Sequence, residues 1–151
     1  MQKMTILCTG KLKEKFYLDA VAEYVKRLSR FCKLEIIELP EERLPEDPSP
    51  AQIEAASGRL AELLFAHPAY RAAKSLYGYL SYNQEVRTAK ILQQAQKDGK
   101  RVAVPKVFGD EMRFLWLDDL SAVAPGAYNI PEPVADTPVA DDETALVLMP
   151  G

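Results

Sequence analysis

The residues able to do chemistry in this 151-residue chain are few and dispersed. The single histidine, His67, has no partner at ligand spacing and precedes Pro68, so it reads as a turn residue rather than a base. Cys8 and Cys32 fall in a strand-like and a helix-end context with no metal-ligand spacing, and they read as buried free thiols. Gly10 stands alone before Lys11, without the glycine pattern of a dinucleotide fingerprint or a P-loop. Glu85 follows a short apolar run and opens a helical pattern, where a carboxylate is favoured by the helix dipole. Lys100, Arg101 and Lys106 are cations, but scattered ones.

Charge is distributed unevenly. Residues 1–33 hold eight Lys/Arg (Lys3, Lys11, Lys13, Lys15, Lys26, Arg27, Arg30 and Lys33) against three acids, a net +5, while the remainder carries −8. Such a basic third meets phosphate or forms the solvated face of one helix answered by the acidic remainder. Its aromatic residues fall at helical spacing among the apolar ones and are expected to be buried, so nucleic acid is not expected as a partner. No apolar run approaches the ~20 residues that span a bilayer. The first residues lack a secretory pattern, and a cytoplasmic location is expected.

The elements that must position these groups follow from periodicity. Residues 3–9 and 33–39 read as strands, and between them Tyr17, Ala20, Val21, Tyr24, Val25, Leu28 and Phe31 recur at helical spacing over 14–31. This is a βαβ unit with parallel pairing. A Pro- and acid-rich connector, 40–48, leads to Ser49-Pro50, a strong helix start, and His67-Pro68 ends that helix. A strand over 75–80, a helix over about 84–97 with Asn83 as its cap, and strands over 101–105 and 112–116 follow, with a turn at Gly109-Asp110. Residues 118–142 look irregular, and 145–149 form a last buried strand before Pro150-Gly151. The fold class is α/β, a mainly parallel sheet with flanking helices.

Two resemblances rest on longer motifs. Thr9-Gly10-Lys11-Leu12-Lys13-Glu14-Lys15, Glu23-Tyr24-Val25-Lys26-Arg27-Leu28 and Cys32-Lys33-Leu34-Glu35-Ile36-Ile37-Glu38-Leu39-Pro40 make residues 4–48 similar to the start of the methyltransferases of the SPOUT class that modify a large-subunit rRNA pseudouridine. That resemblance implies an S-adenosylmethionine site built by Gly-rich loops of a C-terminal knot, which is expected to be absent here. Residues 50–151 resemble 5-formyltetrahydrofolate cyclo-ligase. The motifs are Tyr79-Leu80-Ser81-Tyr82-Asn83-Gln84-Glu85-Val86-Arg87-Thr88, then Gly99–Val107, Met112-Arg113-Phe114, Pro125–Pro133 and Val147-Leu148-Met149-Pro150-Gly151.

This second resemblance implies ATP- and magnesium-dependent ring closure of 5-formyltetrahydrofolate to 5,10-methenyltetrahydrofolate. By motif it implies Glu85 as the carboxylate at the pterin side, Ser81 and Tyr82 beside it, Tyr128 packing on folate and Met149 at the pocket floor. The Gly-rich ATP loop would follow Gly151, so neither cofactor is expected to be retained, no catalytic or metal-ligating residue is assigned, and the chain alone is expected to be inactive. The expectation is thus a chimera: a cyclo-ligase-like core, 49–151, that keeps part of a folate site, joined near 49–56 to an N-terminal βαβ unit, 1–48, in one compact domain. The alternatives are a non-catalytic folate-binding or interaction module and an RNA-binding remnant. Residues 1–48 are too few to bury their own apolar surface. They are expected to occupy the space that the elements missing from the cyclo-ligase-like region would fill, or else the vacant surfaces are expected to meet across a two-fold axis in a homo-oligomer.

Overall fold

The computed structural model describes residues 1–134 and 137–149. The βαβ unit forms as read: β1 (Gln2–Thr9), α1 (Lys15–Leu28) and β2 (Cys32–Leu39), with β1 and β2 parallel and Ile6 opposite Ile36. Gly10 ends β1 with φ +74, a left-handed conformation that suits glycine. In α2 (Pro50–Ala66) the start is a full capping box. The Ser49 hydroxyl accepts from the Gln52 amide at 3.3 Å, and Gln52 Oε1 accepts from the Ser49 amide at 2.8 Å. His67 then serves a second short helix, α3 (Pro68–Ala72), by accepting the Ala69 amide on Nδ1 at 3.1 Å. Its role is structural, as its sequence context suggests.

Beyond α3 come β3 (Ser75–Tyr77), α4 (Ala89–Lys97), β4 (Arg101–Phe108) and β5 (Glu111–Trp116). The small hairpin β6 (Val123–Pro125) and β7 (Pro131–Pro133) encloses a single 3-10 turn, Ala127–Asn129. The last described strand is β8 (Leu146–Leu148). Three boundaries differ from expectation. β3 stops at Tyr77, because Tyr79–Thr88 is a hydrogen-bonded turn; α4 starts at Ala89 rather than near 84, with the Thr88 hydroxyl turned to Tyr79 and Ser81 and making no cap hydrogen bond; and Asn83 sits inside the turn with φ 51. The stretch 118–142, read as irregular, contains the β6–β7 hairpin. Pro150-Gly151, where the last motif ends, lies outside the described residues, as do Ala135 and Asp136.

The sheet has six strands in the order β2-β1-β8-β3-β4-β5, all parallel except β5. β8 therefore joins the N-terminal βαβ unit to the rest, with Ile6 opposite Val147 on one side and Tyr77 opposite Val147 on the other. Residues 1–48 thus extend the sheet of the remainder through β8. From β1 the chain crosses to β2 in one direction, and from β3 it crosses to β4 in the other. Right-handed crossovers accordingly put α1 and α4 on opposite faces.

On the α4 face, Leu7, Leu76, Leu146, Leu148, Val102 and Val104 pack with Leu64, Tyr70, Ile91 and Leu92 into the core. The α1 face is poorly filled. α1 buries none of its residues fully; Ala20, Val21 and Val25 are half-buried, and Tyr17, Tyr24, Leu28 and Phe31 stand out. The stripe was expected to be covered. Periodicity identifies the apolar side of a helix, whereas burial depends on what packs against it. Cys32 is buried and Cys8 half-buried, both as free thiols. Among the described residues no helix is long and apolar enough to cross a membrane.

Candidate functional site

In an open α/β sheet, ligands enter at the carboxyl ends of the strands where the winding direction reverses. Here that point lies around β8, between β1 and β3. The crevice there is lined by Leu7, Thr9 and Leu39 from the N-terminal unit, and by Leu64, Tyr79, Val86, Thr88, Leu148 and Met149. It is apolar and small, about 40 Å³.

The turn from Tyr79 to Thr88 forms one wall. Thr88, fully buried, donates its hydroxyl to the Tyr79 carbonyl at 2.6 Å and accepts the Ser81 amide at 3.2 Å. The Glu85 carboxylate accepts the Tyr82 amide at 2.7 Å, and the Glu85 amide donates to the Tyr82 carbonyl at 3.1 Å. The Arg87 amide donates to the buried Ser57 hydroxyl at 2.9 Å, which ties the turn to α2. Burial, and then the Glu85 charge, pushes the Tyr79 phenol up to about 12, so it stays neutral at physiological pH.

The residues proposed from motifs are thus brought together only in part. Ser81, Tyr82 and Glu85 share one turn, and Glu85 acts there as a turn clasp rather than an early-helix acid. Met149 lines the adjacent crevice. Tyr128 stands apart on the β6–β7 hairpin, 89% exposed with φ 56, where it packs on nothing. Tyr79 and Thr88, the first and last residues of the same motif, also line the crevice.

Two further basic clusters lie on the N-terminal unit, one at each end of α1. The β1–α1 loop presents Lys11, Lys13 and Lys15, and the end of α1 with the start of β2 presents Lys26, Arg27, Arg30 and Lys33, all exposed. Lys13 pairs with Glu41 and Arg27 with Glu23, whereas Lys11, Lys15, Lys26, Arg30 and Lys33 have no carboxylate partner among the described residues. Phe16, 76% exposed, stands with the first cluster, and Phe31, 74% exposed, with the second. Exposed aromatic rings interleaved with Lys and Arg are the combination that stacks bases while binding phosphates.

Residues 2–108 match the model of the family described as predicted SPOUT methyltransferase. The chain belongs to that family. The SPOUT match runs across residues 49–56, where two ancestries were expected to meet, and does not mark a joint there. Among curated SPOUT relatives, the ribosomal RNA large subunit methyltransferase H of Lactobacillus delbrueckii subsp. bulgaricus is 52% identical over 61 residues, covering 40% of this chain and 38% of that protein. Its counterpart in Lactobacillus johnsonii is 57% identical over 49 residues, covering 32% and 31%. This chain thus matches less than two fifths of the length of these relatives. Among solved structures, Aquifex aeolicus 5,10-methenyltetrahydrofolate synthetase aligns with a TM-score of 0.57 at 22% identity, over 66% of this chain and 50% of that one. At that identity the likeness is one of fold.

These findings overturn the expectation that nucleic acid is no partner, since residues 2–108 match a SPOUT methyltransferase model and the curated relatives are named for ribosomal RNA. The physical reason is exposure: the aromatics assigned to a buried stripe are solvent-facing beside the cations. S-adenosylmethionine, the donor a SPOUT enzyme implies, does not fit the described crevice. About 40 Å³ of apolar space falls far short of the roughly 300 Å³ at which ligand pockets begin. A folate or a nucleotide triphosphate meets the same obstacle. Among the described residues no group of three or more His, Cys, Asp or Glu could hold a metal ion.

Proposed function

We propose that this chain binds ribosomal RNA, through the cations at the two ends of α1, without transferring a methyl group. The observation that carries the reading is the set of five cations without carboxylate partners, Lys11, Lys15, Lys26, Arg30 and Lys33, standing beside the exposed rings of Phe16 and Phe31. Membership of the SPOUT family and the names of the curated relatives supply the substrate class. The narrow apolar crevice argues against catalysis by these residues.

Counterion release makes the reading quantitative. Five phosphate contacts on a single-stranded RNA give a log–log salt slope near −3.5, so affinity falls about 100-fold between 50 and 200 mM salt. Fluorescence anisotropy with a labelled large-subunit rRNA fragment measures this directly. Lys26→Glu with Arg30→Glu should weaken binding and lower the slope to about −2. Binding that ignores salt, or that survives this double reversal unchanged, refutes the proposal.

A second reading is supported by the turn holding Ser81, Tyr82 and Glu85 at the switch point and by the likeness of fold to a methenyltetrahydrofolate synthetase. In that reading residues 49–151 keep the pterin-facing side of a folate site, with Met149 at its floor and Tyr128 swinging in from the hairpin. The crevice must widen several-fold for it to hold. Titration calorimetry with 5-formyltetrahydrofolate tests it, and absence of heat at high micromolar ligand disposes of it.

A further inference from the structure

The two outer edges of the six-stranded sheet are finished differently. At β5, residues 137–140 run alongside as a short antiparallel cover. The Trp116 amide donates to the Pro138 carbonyl at 3.1 Å, the Ala140 amide donates to the Phe114 carbonyl at 2.8 Å, and Val139 lies opposite Leu115. At β2 no such cover is present among the described residues, and its only strand partner is β1. The Gly10 amide donates to the Leu39 carbonyl at 2.9 Å, so the backbone groups of Leu39 face β1. Successive residues of a strand alternate in the side to which their N–H and C=O point. Ile37, Glu35 and Lys33 therefore face β1 as well, while Leu34, Ile36 and Glu38 turn both groups outward.

Such an edge is a template for another strand, and natural proteins guard it with prolines, bulges, short length or lysines. β2 has little of this. It runs eight residues in unbroken register with β1, holds no proline, and has its one lysine, Lys33, near its start. The side chains of Leu34, Ile36 and Glu38 share the face on which α1 lies. Ile36 is 39% exposed, and Glu38 is exposed with no cationic partner among the described residues. Between the end of α1 and the start of β2, a cleft of about 290 Å³ lined by Val25, Ser29, Cys32 and Leu34 has room for one large side chain.

We infer that the free edge of β2 receives an extended segment of a partner protein as a seventh strand. Main-chain hydrogen bonds to Leu34, Ile36 and Glu38 hold that segment, and its alternate side chains decide which segment fits. On the α1 side these are apolar opposite Leu34 and Ile36, with a large one at the cleft. Opposite Glu38 the segment carries Lys or Arg, because opposite charges directly across a sheet are favoured and like charges are not. The inference uses backbone groups, the cleft and one carboxylate, none of which the RNA reading invokes, so it stands independently of that reading.

Panning a random decapeptide display library against the immobilised full chain, followed by fluorescence anisotropy with the enriched peptide, tests the inference. Enriched peptides are expected to alternate β-branched or aromatic residues with polar ones, to carry Lys or Arg in the apolar register, and to bind in the micromolar range. N-methylation of the alternate peptide residues that face β2 should abolish binding, and N-methylation of the other set should not. Ile36→Pro removes an N–H that the fold leaves to solvent, a position where an edge strand tolerates proline. It should weaken binding by about 10-fold or more, whereas Ile36→Val should bind as the wild type does. If the proline variant fails to fold, Glu38→Lys is read instead, with an expected loss of about fivefold. Absence of any enriched peptide overturns the inference, as does equal binding to Ile36→Pro or indifference to the pattern of N-methylation. Copies of the wild type that pair in sedimentation velocity, and cease to pair in Ile36→Pro, overturn it too and assign the edge to a second copy.

Discussion

Removing one hydroxyl should unfasten the turn at the sheet's switch point. Thr88 is fully buried, and its side chain pairs both the Tyr79 carbonyl, at 2.6 Å, and the Ser81 amide, at 3.2 Å. Thr88→Val keeps the shape and leaves both backbone groups without that partner. An orphaned buried group costs about 1–3 kcal/mol. Tyr79 and Ser81 are only half-buried, so water recovers part of this and the sum falls near 2–3 kcal/mol. Thr88→Ser is the control: it keeps the hydroxyl and loses one methyl, worth about 1 kcal/mol. With a urea m-value near 2 kcal/mol/M, the midpoint should fall by about 1–1.5 M for valine and about 0.5 M for serine. Amide exchange at Ser81 should quicken in the valine variant alone. Equal midpoints for the two variants would show that the methyl, not the hydroxyl, holds the turn, and the reasoning would fail.

Other perturbations give equally direct readings. Gly78→Ala would bring a Cβ to 2.8 Å from Leu92 Cδ2, an atom of a fully buried side chain, and should destabilise by about 1–3 kcal/mol in the same urea assay. Ser49→Ala removes the reciprocal cap of α2 and should cost about 1 kcal/mol. The Tyr79 phenol has its pKa raised to about 12, so its contribution is complete below its ordinary value near 10 and is lost as pH rises through 12. Ultraviolet titration should show Tyr79 late, together with Tyr70 and Tyr77, whose phenols burial also pushes up, and Glu85→Gln should bring only Tyr79 earlier. Burial pushes the Asp142 carboxyl up, but hydrogen bonds from Ser75 and from the Thr144 amide and hydroxyl, with the Lys74 charge, outweigh it and leave the group below its usual value. A depressed carboxyl stabilises the fold above its unfolded value, near 3.9, and the benefit disappears as pH falls further. Acid unfolding curves should therefore shallow in Asp142→Asn.

What could be read from sequence depended on whether the decisive interaction was local. Ser49, Pro50 and Gln52 announce the start of α2 because capping is settled within four residues. Gly109 announces the β4–β5 turn for the same reason, with φ +61. The start of α4 was misplaced because Gln84–Arg87 has helical composition while Thr88, Ser81 and Tyr79 bind one another across the turn. At α1 the apolar spacing was read correctly and its burial was not, since the covering surface is supplied by tertiary or quaternary structure. The turn bearing Ser81, Tyr82 and Glu85 was legible as a motif. The width of the crevice beside it was not, because volume depends on Leu7, Leu39 and Leu148 meeting from distant parts of the chain.

The place of β8 in the sheet has a consequence for how the molecule comes into being. The strand most distant in sequence from β1 is the one that sits against it, with β3 on its far side. Until Leu146–Leu148 is available, β1–β2 and β3–β5 are two separate ribbons with no ladder between them. Joining such distant segments is slow, because a large loop must close before any pairing rewards it. During synthesis from the N-terminus, the inner edges of both ribbons therefore stay bare until the last described strand arrives. That interval, rather than the finished fold, is when this chain is most open to capture by a chaperone or by another copy of itself.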